Sequence, residues 1–92
     1  PHMRIVEHRA LAVHALGGIE HRTIAGLAHG LETLDVWKQR LAPGAATPPH
    51  HHHCEEVVVV LVGQGAIEID GVEQAFGPGA SLVIPPGVAH RI

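Results

Sequence analysis

Four consecutive histidines, His50 to His53, stand between a proline pair and an acidic pair in the stretch PPHHHHCEEVVVVLVGQG. Affinity tags sit at chain ends, and this run lies mid-chain directly ahead of a strongly apolar segment, so it is read as part of the fold. In extended backbone alternate side chains share a face, which sends His50 and His52 one way and His51 and His53 the other. Glu56 joins the face of His50 and His52 if the extended parity holds or a tight turn restores it. Two imidazoles and a carboxylate on one side form a facial set for a divalent transition metal, and imidazole suits Mn, Fe, Ni, Cu and Zn alike. A fourth ligand has to come from elsewhere in the chain.

Holding such a set requires a stiff scaffold, and the surrounding sequence reads as short strands divided by Gly and Pro. Residues 4–16, RIVEHRALAVHAL, are an edge strand or a short helix, ended by Gly17-Gly18. HRTIAGL (21–27) and LETLDVWKQRL (31–41) form a hairpin around AHG. APGAATPP (42–49) can be neither helix nor central strand, because its prolines remove donors and force turns. EEVVVVLVG (55–63) is the strongest strand signal, a β-branched run of the kind buried on both faces. GAIEIDG (65–71) alternates and ends in Asp-Gly, a preferred hairpin turn. VEQAF (72–76), SLVIPPG (81–87) and VAHRI (88–92) complete the series. Strands at this spacing, with turn signals between them, predict an all-β antiparallel sandwich or barrel. No internal repeat or linker marks a second domain.

The spacing around the histidines carries a family resemblance. Gly44, five residues, His50, one residue, His52, three residues, Glu56, six residues, Gly63 resembles the first cupin motif at every fixed position. Gly79, five residues, Pro85, one residue, Gly87, two residues, His90 is similar to the second. So many fixed positions in the right order make a specific signal. The resemblance covers residues 42–92 closely and the N-terminal half through its strand pattern. It implies a small jelly-roll β-barrel of the conserved-barrel type, with one divalent metal in its mouth held by His50, His52, Glu56 and His90. Four ligands on an octahedral ion would leave two positions for a chelating ligand or for dioxygen, whereas a zinc ion held by all four could be a closed structural site. A cupin barrel needs roughly two more strands beyond the second motif to close. The chain stops at Ile92, so the closing strands are expected to be missing from it or replaced by a neighbouring subunit.

Other residues receive plainer readings. His51 and His53 are read as exposed or supporting, and His8, His14, His21 and His29 as surface or structural. Cys54 shares the ligand parity but is read as a bystander, since parity is least reliable in the turn before Glu56. Trp37 and Gln39 share a strand face and could line the barrel mouth, but Trp37 is read first as core. Gly44, Gly63, Gly79 and Gly87 are read as turn residues.

Bulk composition bounds the function. PHM at the start resembles a cloning remnant, so residues 1–2 are set aside and residues 3–92 are expected to form a single domain. A chain this short hides only about 60% of its unfolded surface, so a metal or a partner subunit would help it fold. A hydrophobic fraction of 46% with one Trp, one Phe and no Tyr gives an aliphatic core. The net charge of −3 offers no footprint for nucleic acid or anionic membrane. One cysteine excludes an intrachain disulfide, and no apolar run is long enough to span a membrane, so a cytoplasmic location is expected.

These readings converge on a metal-binding cupin. The expected role is a metal-dependent enzyme of dioxygenase, lyase or isomerase type acting on a small polar or anionic metabolite, although no general base stands out. The alternative is a non-catalytic module that binds a metabolite or metal, or a barrel merely stabilised by its ion. Exposed strand edges predict a homodimer.

Overall fold

The computed structural model describes residues 3–92; the Pro1–His2 pair lies outside the described residues. Eight strands and two single-turn 3-10 segments make up the regular structure, and no α-helix occurs among the described residues. The chain divides into two compact units, one running through Ala45 and the other from Ala46 to Ile92.

In the first unit β1 (His14–Leu16), β2 (Ile19–Ala25) and β3 (Val36–Leu41) form an antiparallel sheet in chain order. The Gly17-Gly18 pair turns β1 into β2, and the segment 4–16 contains both a 3-10 turn at His8–Ala10 and a short strand. The hairpin expected around AHG exists, with a longer connection: Ala28 and His29 belong to a 3-10 turn (Leu27–His29) that Gly30 ends, and β3 starts only at Val36. Trp37 lies opposite Thr23, and Gln39 opposite His21. Trp37 is 42% exposed, which overturns the reading of it as core. Its indole N–H donates to Asp35 Oδ2 at 2.7 Å and its ring meets His21 edge-on, so polar partners on β2 and just ahead of β3 hold it.

The second unit holds β4 (Glu56–Val59), β5 (Gly65–Ile69), β6 (Val72–Phe76), β7 (Ser81–Ile84) and β8 (His90–Arg91). β4 pairs with β7, and β5 stands between β6 and β8, all antiparallel. Asp70 and Gly71 join β5 to β6 with φ of 52° and 76°, the two positive values that a type I′ hairpin turn demands. Val60, Ile67 and Ile84 are the buried apolar residues.

The valine run departs from expectation. Regular pairing covers Glu56–Val59 and only alternate residues turn inward. Val57 and Val59, at 63% and 62% exposure, share an outer face with Val83. A two-stranded antiparallel ribbon has one buried and one open face, and β-branched composition alone does not distinguish this from burial on both sides. The inner face carries Val58 and, at the end of β4, Glu56 directly opposite the nearly inaccessible Ile84.

Candidate metal centre

The second unit brings His50, His52, Glu56 and His90 together: each offers one ligand atom, and these atoms all lie within 4.8 Å of one another. Two pieces of backbone create the convergence. His50 and His90 exchange both backbone hydrogen bonds, N–H to O at 2.9 and 2.8 Å, in an isolated antiparallel bridge. Next to it, the Thr47 N–H donates to the Ile92 carbonyl at 2.8 Å and the Ile92 N–H to Thr47 Oγ1 at 3.0 Å. Thr47 is accordingly buried despite its position in a proline-rich segment. On the other side the Gly87 N–H donates to the His52 carbonyl at 2.7 Å. Gly87 does this from a left-handed conformation, φ 75°, that favours glycine. The loop carrying the second motif is thereby pinned to the histidine run at His50 and His52.

Two ring orientations are fixed by carbonyls that the sequence did not flag. His50 Nδ1 lies 2.8 Å from the Pro48 carbonyl, and His90 Nδ1 lies 3.0 Å from the Val88 carbonyl. A carbonyl only accepts, so each Nδ1 carries the proton, and in the neutral ring each Nε2 keeps its lone pair. In both cases the acceptor is two residues upstream, a local relation that the motif spacing alone does not reveal.

His90 is 2% exposed. Its Nε2 lies 3.4 Å from Glu56 Oε1, and His52 Nε2 lies 3.3 Å from the same oxygen. His90 Nε2 and Glu56 Oε1 are both buried without an ordinary hydrogen-bond donor. With the His90 proton held at Nδ1, a lone pair faces a carboxylate oxygen, and leaving a buried acceptor so placed costs about 1–3 kcal/mol. A cation between them removes that cost. Three imidazoles and a carboxylate fit a divalent first-row ion, and the residues present therefore suit the group that the spacing implies. The histidine rings lie 4.3 to 6.0 Å apart between centroids, grouped on one side of the run.

His51, His53 and Cys54 are exposed, outside the cluster, as read from the sequence. Beside the cluster, His90 lies directly opposite Ile69 in the β5–β8 pairing. Because the His90 backbone groups are spent on His50, this is a non-hydrogen-bonded pair, the closer kind, with both side chains on one face. Ile69 lies opposite Val72, and Ile67 opposite Gln74. Those four side chains line a cavity of about 250 Å³. Gln74 is its one polar wall. Alternation within β5 announced an inner face, but nothing in the sequence paired Ile69 with His90.

Residues 4–86 match the family profile described as auxin binding protein. Among curated relatives, the chain is 39% identical over 86 residues to auxin-binding protein T85 of Nicotiana tabacum, an alignment covering 82% of this chain and 46% of that protein. It is 42% identical over 69 residues to auxin-binding protein 1 of Arabidopsis thaliana, covering 74% of this chain and 34% of that one. The chain thus spans about half the length, or less, of the curated relatives it matches. Among solved structures, the polyketide cyclase RemF from Streptomyces resistomycificus superposes with a TM-score of 0.86 at 25% identity, over 98% of this chain and 68% of that chain. No helix among the described residues is long and apolar enough to cross a membrane.

Proposed function

Because this chain belongs to the auxin-binding protein family, within the cupin superfamily, we propose that it binds a small organic acid at one divalent metal ion held by His50, His52, Glu56 and His90. The observation that supports this most directly is the buried approach of Glu56 Oε1 to the His90 Nε2 lone pair at 3.4 Å, which a cation relieves. When bound, the ion supplies a positive centre on which a carboxylate can be seated. The chain's own residues do the rest. Val88 and Pro48 hold two rings in the ligating tautomer, and Ile67, Ile69 and Val72 offer an apolar wall beside His90 for the body of the ligand. A small aromatic acid of the class named by the relatives fits that combination of a charged seat and an oily wall.

A second reading, turnover of a small metabolite by oxygenase, lyase or isomerase chemistry, draws support from the likeness to a polyketide cyclase. Beyond the four ligands the cavity wall provides only the Gln74 amide, which does not exchange a proton at neutral pH. Binding is therefore the preferred reading. A homodimer is part of the proposal, supported by the exposed Val57, Val59 and Val83 face. A cytoplasmic setting is supported by the single free Cys54.

The test is calorimetric titration of chelated and metal-reconstituted protein with an auxin such as indole acetic acid. Binding that requires the ion and is lost in the His52→Ala, His90→Ala double variant is expected. Equal affinity in the ion-free protein, or full metal content in the double variant, refutes the assignment. Metal-dependent consumption of an acid, diketone or thiol from a broad panel would shift the reading to catalysis.

A further inference from the structure

The alternation that gathers His50 and His52 inward leaves a second pair on the outside of the same run. We propose that His51 and His53 form a separate, solvent-facing site for a late first-row divalent ion, Ni, Cu or Zn. Both side chains are exposed. Their ring centroids lie 5.9 Å apart with the planes at 87°, a spacing within that of the widest inner pair, His52 and His90, at 6.0 Å. The backbone beneath them is not free to wander. His50 is bridged to His90 through both of its peptide groups, and the His52 carbonyl receives the Gly87 N–H. The residues on each side of His51 are thus held, and much of the entropy lost on bringing two imidazoles to one ion has already been spent in folding.

The chemistry of the two sites differs. The inner one combines three imidazoles with a carboxylate, half-buried at His50, His52 and Glu56 and buried at His90. The outer one offers two neutral imidazoles and leaves water to complete the shell. Imidazole donors without a carboxylate favour the late first-row ions in the Irving–Williams order, and fewer protein ligands make the outer site the weaker of the two. This inference does not depend on the inner cluster holding a metal.

Nickel is the suitable probe, since Cu(II) is reduced by an exposed thiol such as Cys54. In calorimetric titration of the full chain with Ni(II), the expected result is a tight phase followed by a weaker one. His51→Ala, His53→Ala removes the weak phase and leaves the tight phase intact; His52→Ala, His90→Ala does the reverse. Circular dichroism verifies that each variant is folded. A wild type with no weak phase overturns the proposal, as does a weak phase that survives in His51→Ala, His53→Ala. Loss of the weak phase in His14→Ala also overturns it, assigning the ion to the pair that His14 makes with His21 across β1 and β2. If no tight phase exists but the weak phase depends on His51 and His53, the outer site stands and the inner reading fails.

Discussion

Replacing Glu56 by glutamine separates two effects of its carboxylate. Glu56 Oε1 stands 3.4 Å from His90 Nε2 and 3.3 Å from His52 Nε2. Since His90 Nδ1 is committed to the Val88 carbonyl, the oxygen and the His90 nitrogen oppose each other as acceptors. Glutamine has the same shape and can present an N–H to that lone pair, recovering part of the roughly 1–3 kcal/mol attached to a buried unpaired acceptor. For a domain of this size each kcal/mol is worth about 4–8 °C in Tm, so ion-free Glu56→Gln should melt a few degrees above the ion-free wild type. A bound ion reverses the order. At a free ion concentration one hundred times Kd the wild type gains about 2.7 kcal/mol, whereas the neutral amide is a poor ligand and leaves the variant most of that gain short. Thermal unfolding followed by circular dichroism, with chelator and with saturating Ni(II), Zn(II) or Mn(II), measures both terms. The two curves should exchange places. An ion-free variant that melts below the ion-free wild type would mean that the carboxylate already pairs with a proton-bearing His90 nitrogen, and the tautomer argument would be refuted.

Other outcomes follow from the same geometry. Lowering the pH should strip the ion from the inner cluster, because binding an imidazole nitrogen excludes a proton from it and acid therefore favours release; metal content after dialysis across a pH series checks this. Ile69→Ala should weaken binding of an aromatic acid while leaving metal content unchanged, since Ile69 walls the cavity and does not reach for the ion as a ligand; calorimetry of metal-loaded protein separates the two. Charged substitutions on the outer ribbon face, Val57→Lys with Val83→Lys, should shift sedimentation from dimer to monomer with little change in folding, and a wild type that is monomeric at all concentrations would remove the dimer from the proposal.

The two motifs made the candidate cluster legible because each of its members is fixed by short-range spacing within its own loop. Alternation placed β5, and Asp-Gly located the turn that leads from it into β6. Three things were not legible. One-sided exposure of Val57 and Val59 depends on how many strands flank β4, which residue type does not encode. Trp37 is half in solvent because Asp35, just ahead of β3, and His21 on β2 satisfy it, a tertiary choice that hydrophobicity alone misjudges. The carbonyls of Pro48 and Val88 act through backbone that any residue could supply, so their role becomes visible only when ring and carbonyl are seen 2.8 and 3.0 Å apart.

The bridge between His50 and His90 has a kinetic side. β8 is only two residues long, and a strand held by so few ladder hydrogen bonds opens readily. His90 cannot leave the cluster without breaking the paired hydrogen bonds that tie it to His50, nor can β8 open without withdrawing one of the four candidate ligands. Opening of this strand and departure of a bound ion would then be one event seen by two clocks. Hydrogen exchange at the His50 and His90 amides and the dissociation rate of the metal should slow together when the pairing with Thr47 and Ile92 is strengthened.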